Sequence, residues 1–196
     1  MQIPSRDTCF ALIHEMEMMD HIVDHSRRVC RVALFLTDEL HQMGVVLHRD
    51  LIEAAALLHD ITKTRSFETG ENHAASGDEF LSARGYPEVG DIVGQHVRLN
   101  SYFSSQVPSE AEVVNYADKR VLHDRVVSLD ARMAYIVERY GQDPALDAKI
   151  RDLWEKTRSL EARLFDRLSF TPDDLPQLVA GRAAPLPPPI AMQGRR

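Results

Sequence analysis

A set of histidine and aspartate side chains between residues 25 and 118 has the residue types and the setting of a metal-binding site. In chain order, the set consists of His25, His59, Asp60, His73, His96 and Asp118. Of these, His25, His96 and Asp118 each occupy a position on a helical pattern whose other members are apolar. Because an ionisable side chain directed into a core is costly unless it is paired or binds a metal, we expect the set to bind a pair of divalent cations.

Members of this set also have simpler explanations. A lone histidine on an apolar helix face, such as His25, is more often a hydrogen-bonded core residue than a ligand. His21 lies one turn earlier and completes an HxxxH pair, which lacks the glutamate of the HExxH zinc motif. Taken alone, His73 suits a solvated first turn. Asp118 is the strongest individual signal, because aspartate is a poor helix former that is seldom buried unpaired. Its alternative is a salt bridge to Arg125.

The pair His59-Asp60 ends the apolar run Ala-Ala-Ala-Leu-Leu. Adjacent helix residues diverge by about 100°. The two side chains are therefore suited to flanking a site of two ions, with the carboxylate bridging them and the imidazole binding one. The alternative is a polar pair exposed to water at a helix end. The next residue, Ile61, is apolar again, which counts against that alternative.

The ligand types also indicate which metals and which reaction to expect. Mixed imidazole and carboxylate ligands suit divalent metals such as Mn²⁺, Fe²⁺ or Co²⁺. A water that bridges two such ions becomes a hydroxide near neutral pH and can attack phosphorus in line. The reaction also needs a positive side chain over the phosphate, for which Lys63 and Arg65 are candidates. The alternative for Lys63 is a lysine favoured by the dipole at a helix C-terminus.

The elements that must position these side chains are helices, because apolar residues recur at steps of three or four nearly throughout the chain. One stripe comprises Ile22, His25, Val29, Val32, Leu36 and Leu40. Asn72 is a candidate cap, and Ser109 with Glu112 forms a capping box. The sequence predicts helices over about 22–40, 51–61, 73–84, 87–97, 110–126, 128–140 and 144–168, and a short one from about 172. Alternating strand patterns are missing, so the predicted fold class is all-α.

The predicted domain organisation has three parts. Residues 1–126 form the metal-binding domain, whose motifs lie at about 20–125, and residues 127–180 form C-terminal helices packed on it. Residues 181–196 are predicted to be a Pro-rich, disordered tail, because they contain Pro185, Pro187, Pro188 and Pro189.

Composition limits the classes of function. A chain of 196 residues is long enough for one well-buried domain. The formal net charge of -7 argues against a general nucleic-acid-binding surface. Cys9 and Cys30 lack a CxxC spacing, which argues against a disulfide scaffold or a structural zinc site. A signal-peptide pattern is missing, and every apolar run falls short of the roughly 20 residues that span a bilayer. We therefore expect a cytoplasmic protein.

The ordered set of histidines and aspartates, in the local contexts HDITK, NHAASGDEFL and NYADKR, resembles the HD superfamily of metal-dependent phosphohydrolases. The resemblance implies a helical bundle in which His25, His59, Asp60 and Asp118 bind metal. It also implies that His73 and His96 correspond to the additional histidines of binuclear members, so we expect two metal ions. The layout is similar to that of the bacterial symmetrical diadenosine tetraphosphate hydrolases, which have a di-iron site and a lysine near the dyad.

The sequence departs from the family pattern in two places. Thr62 stands where the commoner HDIGK run has glycine, which leaves the local turn and the direction of Lys63 open. An HDxGYP signature is missing, and Val97 stands where a second histidine would follow His96. The second departure disfavours a cyclic di-GMP phosphodiesterase.

The sequence thus predicts a phosphohydrolase that cleaves a phosphoester or phosphoanhydride of a nucleotide or a related small phosphorylated metabolite. Asp60 and Lys63 are its predicted catalytic residues, and the predicted phosphate-binding residues are Lys63, Arg65, Arg98 and Lys119. We expect neither a membrane nor a nucleic acid as partner, and we leave open whether the protein forms a homodimer. Two alternatives also stay open: a di-iron oxygenase of the HD fold, and a non-catalytic HD signalling module.

Overall fold

A computed structural model describes residues 1–182, apart from the side chain of Ala145. The predicted Pro-rich tail, residues 181–196, therefore falls almost entirely outside the described residues. Within residues 1–182, none of the helices has both the length and the apolar character that a membrane span needs.

Helices form nearly all of the regular structure, which confirms the predicted all-α class. In chain order they are α1 (Arg6–Glu15), α2 (Asp20–Gln42), α3 (Arg49–Leu58), α4 (Lys63–Thr69), α5 (His73–Ala83), α6 (Pro87–Gly94), α7 (Glu110–Lys119), α8 (Leu129–Tyr140), α9 (Pro144–Phe165) and α10 (Leu175–Gly181). A 3₁₀ helix, Pro172–Asp174, precedes α10. A small antiparallel hairpin joins strands β1 (Val121–Leu122) and β2 (Arg125–Val126), with Val121 paired to Val126.

Capping residues set several helix starts where the sequence predicted them. The Asn72 side chain accepts hydrogen bonds from the first-turn amides of α5. Ser109 and Glu112 form the predicted capping box of α7. Each cap satisfies amide groups that the first turn of a helix leaves without a backbone partner. Helices α1 and α4 were not predicted; Ser5 caps α1 in the same way.

Four predicted helices end three or more residues earlier than expected, and one of them, predicted over 144–168, ends at Phe165. The helix predicted over residues 110–126 stops at Lys119 and gives way to the hairpin, where Val121 and Val126 favour extended backbone. The helix predicted over 51–61 stops at Leu58, and the one over 87–97 stops at Gly94, a residue with low helix propensity. As a consequence, His59, Asp60 and His96 lie in turns that follow helices.

Helix α2 forms the centre of the core. Every residue of its predicted apolar stripe, including His25, is buried. It packs against both α3 and α7, which also contact each other. A neighbouring pair, α5 and α6, packs closely through glycines: a Cβ atom on Gly77 would lie 2.8 Å from Val93 Cγ1, and one on Gly90 would lie 2.6 Å from Asp78 Oδ1. Gly77 therefore allows α5 and α6 to approach each other closely.

A buried polar network joins α7 to the C-terminal helices. Arg120 is 1% exposed and donates hydrogen bonds to the Tyr116 hydroxyl, to Glu161 on α9 and to the carbonyl of Pro172. Leu160 and Leu164 of α9 belong to the same hydrophobic core as α2. Since a buried guanidinium is costly without acceptors, these bonds hold α9 in a fixed place against α7.

Candidate metal centre

The structure brings together all of the predicted ligands, although they come from separate segments. One lies on α2, two in the turn after α3, one at the start of α5, one in the turn after α6, and one near the end of α7. These are, in the same order, His25, His59 and Asp60, His73, His96, and Asp118. The early ends of α3 and α6 matter here, because a turn lets neighbouring side chains point in directions that a continuous helix would keep apart.

Asp60 occupies the centre of the cluster and is 1% exposed. Its Oδ2 atom accepts a hydrogen bond from Lys63 Nζ at 2.8 Å and lies 3.4 Å from His59 Nε2. Its Oδ1 atom lies 3.4 Å from His73 Nε2 and 3.4 Å from His96 Nε2. Each oxygen of this carboxylate therefore contacts a different part of the cluster.

The cluster divides into two groups around Asp60. The inner group comprises His25, His59 and Asp118: Asp118 Oδ1 lies 3.1 Å from His25 Nε2 and 3.8 Å from His59 Nε2. The outer group comprises Asp60, His73 and His96, with the Nε2 atoms of the two histidines 3.1 Å apart. The ligand atoms of the inner group all lie within 4.8 Å of one another, and so do those of His59, Asp60 and His96.

Backbone carbonyls fix the orientation of three of the imidazoles. The Nδ1 atoms of His25, His59 and His96 lie 2.9, 2.9 and 2.7 Å from the carbonyl oxygens of His123, Ala56 and Val93, respectively. A carbonyl can only accept, so each Nδ1 carries the proton and donates it. In the neutral imidazole, the Nε2 of each ring then faces the cluster with a lone pair, which is the arrangement typical of metal-binding histidines.

Two buried atoms in the cluster test whether a cation fits. His59 Nε2 and Asp60 Oδ1 have no hydrogen-bond partner among residues 1–182. Leaving buried acceptors unpaired costs free energy, and here their lone pairs converge with those of the neighbouring imidazoles. Divalent cations that accept these lone pairs would remove the cost. The donor set, imidazole nitrogens and carboxylate oxygens, is also the one such cations bind. The residues present therefore fit a divalent metal.

The pKa shifts of Asp60, Asp118 and His96 agree with this fit. Burial lowers the pKa of His59, but the Asp60 and Asp118 carboxylates raise it above its usual value. Burial raises the pKa of Asp60, but the neighbouring imidazoles outweigh burial, and the pKa falls well below its usual value. Burial also raises the pKa of Asp118, but the Lys119 ammonium outweighs burial and holds this pKa well below its usual value. Burial lowers the pKa of His96 to about 4. Near neutral pH, both carboxylates are thus ionised and His96 is neutral, as metal ligands must be.

The two lysines near the cluster have different surroundings. The side chain of Lys63 is 32% exposed and contacts Asp60 at the edge of the cluster. Thr62 adopts a φ of -103°, so the turn before Lys63 does not need the glycine of the commoner motif. Lys119 is 5% exposed and donates to Asp118 Oδ2 at 2.8 Å and to the carbonyl of His96 at 2.7 Å. These contacts position Asp118, and the predicted phosphate contact of Lys119 stays a prediction.

The two predicted phosphate-binding arginines lie in exposed positions. Arg65 pairs with Glu71, with Arg65 Nε 2.7 Å from Glu71 Oε1. Arg98 follows His96 by two residues and is exposed. Neither arginine has a recorded contact with a ligand of the cluster within residues 1–182, so Lys63 is the best placed of the predicted phosphate-binding residues.

Several residues that support the cluster were missed in the sequence. Asn115 is buried and donates to the carbonyls of Gln95 and His96, at 3.1 and 2.9 Å. Its position one turn before Asp118 on α7 is a signal that could have been used. His123, whose carbonyl orients His25, has a φ of 55° in the hairpin turn. That left-handed backbone is unusual for a residue with a side chain, and no sequence pattern indicates it.

Comparison with known proteins agrees with this geometry. Residues 22–121, half of the chain, match the family model described as HD domain, and this range contains every candidate ligand. A relative from Picrophilus torridus, tRNA (cytidine(56)-2'-O)-methyltransferase, is 28% identical over 180 residues, which is 85% of this chain and 50% of the relative. The chain thus spans about half the length of that relative. No solved structure matches the chain significantly.

Proposed function

This chain belongs to the HD-domain family, and from that premise we propose that it is a metal-dependent phosphohydrolase. Its proposed reaction is the cleavage of a phosphoester or phosphoanhydride in a nucleotide or a related small phosphorylated metabolite. We propose two divalent ions, of iron, manganese, cobalt or a similar metal. The inner group would hold one ion and the outer group the other.

The observation that carries this proposal is the environment of Asp60. A buried carboxylate has its oxygens beside imidazoles of both groups, and one of those oxygens, Oδ1, lacks a hydrogen-bond partner within residues 1–182. A single structural ion pair would account for the contact of Oδ2 with Lys63 but would leave Oδ1 unexplained. A carboxylate that bridges two ions accounts for both oxygens.

Divalent ions at this position would supply Lewis acidity, which promotes the ionisation of water and offsets negative charge on a phosphoryl group. The protein residues have separate tasks around them. Backbone carbonyls hold the imidazoles in the correct tautomer. Lys63 lies at the exposed edge of the cluster, where its ammonium can bind a phosphate oxygen. The surrounding core, which buries Asp60 and His59, limits water around the reacting groups.

The methyltransferase activity in the name of the Picrophilus torridus relative belongs to a protein of which this chain spans half. We do not propose methyl transfer for this chain. A cluster of imidazoles and carboxylates around unpaired buried lone pairs is suited to activating water, and that chemistry is hydrolysis.

Metal analysis of anaerobically purified protein, combined with a hydrolysis panel, tests the proposal. The panel covers nucleoside monophosphates, cyclic nucleotides and dinucleoside polyphosphates. We expect phosphate-ester or anhydride cleavage that a chelator abolishes and that Mn²⁺, Fe²⁺ or Co²⁺ restores. Oxygen consumption with a polyol-like substrate, or methyl transfer to tRNA, without cleavage of any phosphorylated compound would contradict it.

Replacing the central carboxylate should have the most severe effect. Asp60→Asn keeps the shape of the side chain but removes the charge that would bridge the two ions. We expect loss of both ions and a fall in turnover of at least about 10³-fold, because the Lewis acids would leave with them. The measurement is metal content per chain alongside the rate on the best substrate of the panel. Asp91→Asn, at an exposed position on α6, is the matched control and should behave as wild type.

A further inference from the structure

The first helix beyond the family match, α8, contacts the hairpin whose His123 carbonyl orients His25. Residues 22–121 match the HD model, whereas α8 comprises Leu129–Tyr140. On α8, Leu129, Met133 and Ile136 belong to or pack against the core. Successive helix residues are rotated by about 100°. Arg132 therefore lies next to this apolar stripe, and Tyr135 lies on the same side of the stripe but farther from it. Both side chains occupy one flank of the helix.

That flank lies over the hairpin that orients His25. The rings of Tyr135 and His123 make a T-shaped contact with centroids 5.5 Å apart. The carbonyl of His123 is the partner of His25 Nδ1. Only one residue and one hydrogen bond therefore separate α8 from a ligand of the inner group.

Arg132 lies on the same flank. Within residues 1–182, its buried Nε atom has no hydrogen-bond partner and its guanidinium forms no ion pair. Its guanidinium carbon lies 6.0 Å from the centroid of the Tyr135 ring. A buried N–H donor of a charged group is costly when it has no acceptor, so the position calls for an anionic ligand.

The charge of Arg132 also acts on Lys63. Burial lowers the pKa of Lys63 and the Asp60 carboxylate raises it above its usual value, while the charge of Arg132 acts against that rise. A dianion that bound both side chains would offset the repulsion between their charges. Phosphate has the charge for this role, and guanidinium binds its oxygens through two parallel hydrogen bonds.

We propose that Arg132 binds the substrate phosphate together with Lys63, so that α8 supplies one wall of the substrate site. This inference rests on the proposed phosphohydrolase function and adds a specificity-determining residue to the same site. In this proposal α8, which follows the HD domain, completes the substrate site on the side where Lys63 is exposed. A substrate bound there presents its phosphate to the cluster, with Tyr135 beside the guanidinium.

The test measures binding of inorganic phosphate to the full-length, Mn²⁺-loaded protein by calorimetry, for the wild type and three variants. Arg132→Ala should weaken phosphate binding by about 10-fold or more, the effect of losing a hydrogen bond between charged groups. Arg132→Lys should recover part of the loss, since it keeps the charge without the paired hydrogen bonds. Arg151→Ala, at an exposed ion pair on α9, should bind as the wild type does. Metal content should be the same in all four proteins.

Wild-type affinity in Arg132→Ala would overturn the inference, and so would a metal-loaded wild type that does not bind phosphate. Loss of metal from Arg132→Ala would also overturn it, because that result would show a role in building the cluster. If Arg132→Lys recovers part of the affinity, misfolding does not explain the loss in Arg132→Ala. A protein that hydrolyses none of the panel but shows this pattern of phosphate affinities would contradict the proposed function and leave the assignment of Arg132 standing.

Discussion

The inner and outer groups of the cluster are held by different kinds of structure. The inner group lies between α2 and α7, and both ring nitrogens of His25 have a partner: Asp118 on one side and the His123 carbonyl on the other. The outer group depends on shorter elements. His73 begins α5, and His96 follows α6, so their separation is set by the close packing of that helix pair at Gly77 and Gly90.

The two groups also differ in their access to water. The inner ligands are all buried, whereas the side chain of His73 is 25% exposed. Rigid, buried ligands favour tight retention of a metal, and an accessible position favours exchange and contact with substrate. For the proposed two-ion centre, we therefore expect the inner group to retain its ion and the outer group to hold the ion that exchanges first and lies nearer the substrate.

Removing one histidine from each group tests this assignment most strongly. His73→Ala should leave about one ion per chain, held by the intact inner ligands, whereas His25→Ala should leave less than one, because the outer ligands alone bind weakly. Metal analysis after dialysis measures the difference. His21→Ala, one turn earlier on α2 and exposed, should keep the wild-type content. Equal loss in the two cluster variants would contradict the distinction between the groups.

Lys119 links the two groups without being a ligand, so replacing it should have a smaller effect. Its ammonium contacts Asp118 of the inner group and the carbonyl of His96 in the outer group. Lys119→Met should lower metal affinity by about 10- to 100-fold, the usual effect of removing a residue that orients a ligand. It should also destabilise the metal-free protein more than the metal-loaded one, since a bound cation still neutralises Asp118. Competition with a chelator and thermal melting measure these effects. Lys156→Met, at an exposed ion pair with Asp152, is the control. If Lys119→Met destabilised the metal-loaded protein more than the metal-free protein, the proposed role of Lys119 would be wrong.

Thr62 provides the smallest test and concerns the outer group alone. Its hydroxyl donates to the carbonyl of His73 at 2.8 Å and accepts from Ser76 at 3.0 Å. Thr62→Val keeps the shape and removes both bonds, and we expect a loss of about 1 kcal/mol in the free energy of unfolding. The outer ion should exchange faster while the inner ion is unchanged, which stopped-flow chelation can resolve. Faster release of both ions would show that the groups are not independent.

Much of this site could be predicted from sequence because its members break local patterns. A histidine on the stripe of α2 and an aspartate at mid-helix in α7 are visible as polar residues where apolar ones are expected. The fold class followed from helical periodicity in the same way. The family resemblance then indicated that these positions belong to one site. His73 taken alone could not have indicated this.

The parts that were missed depend on contacts between distant segments. The hairpin Val121–Val126 was predicted as helix, because two short strands are too brief to produce an alternating pattern. The left-handed turn at His123 and the two carbonyls held by Asn115 arise only when α2, α7 and the turn after α6 meet. The burial of Lys119 could not be read from the sequence either, and its predicted phosphate contact stays a prediction.

The central claim is that these ligands hold two metal ions, and the metal content of anaerobically purified wild-type protein tests it most directly. The account predicts two equivalents of divalent metal per chain, one of which a chelator removes well before the other, with turnover falling as the first ion leaves. An active wild-type protein that binds a single equivalent, with every ligand intact, would contradict it.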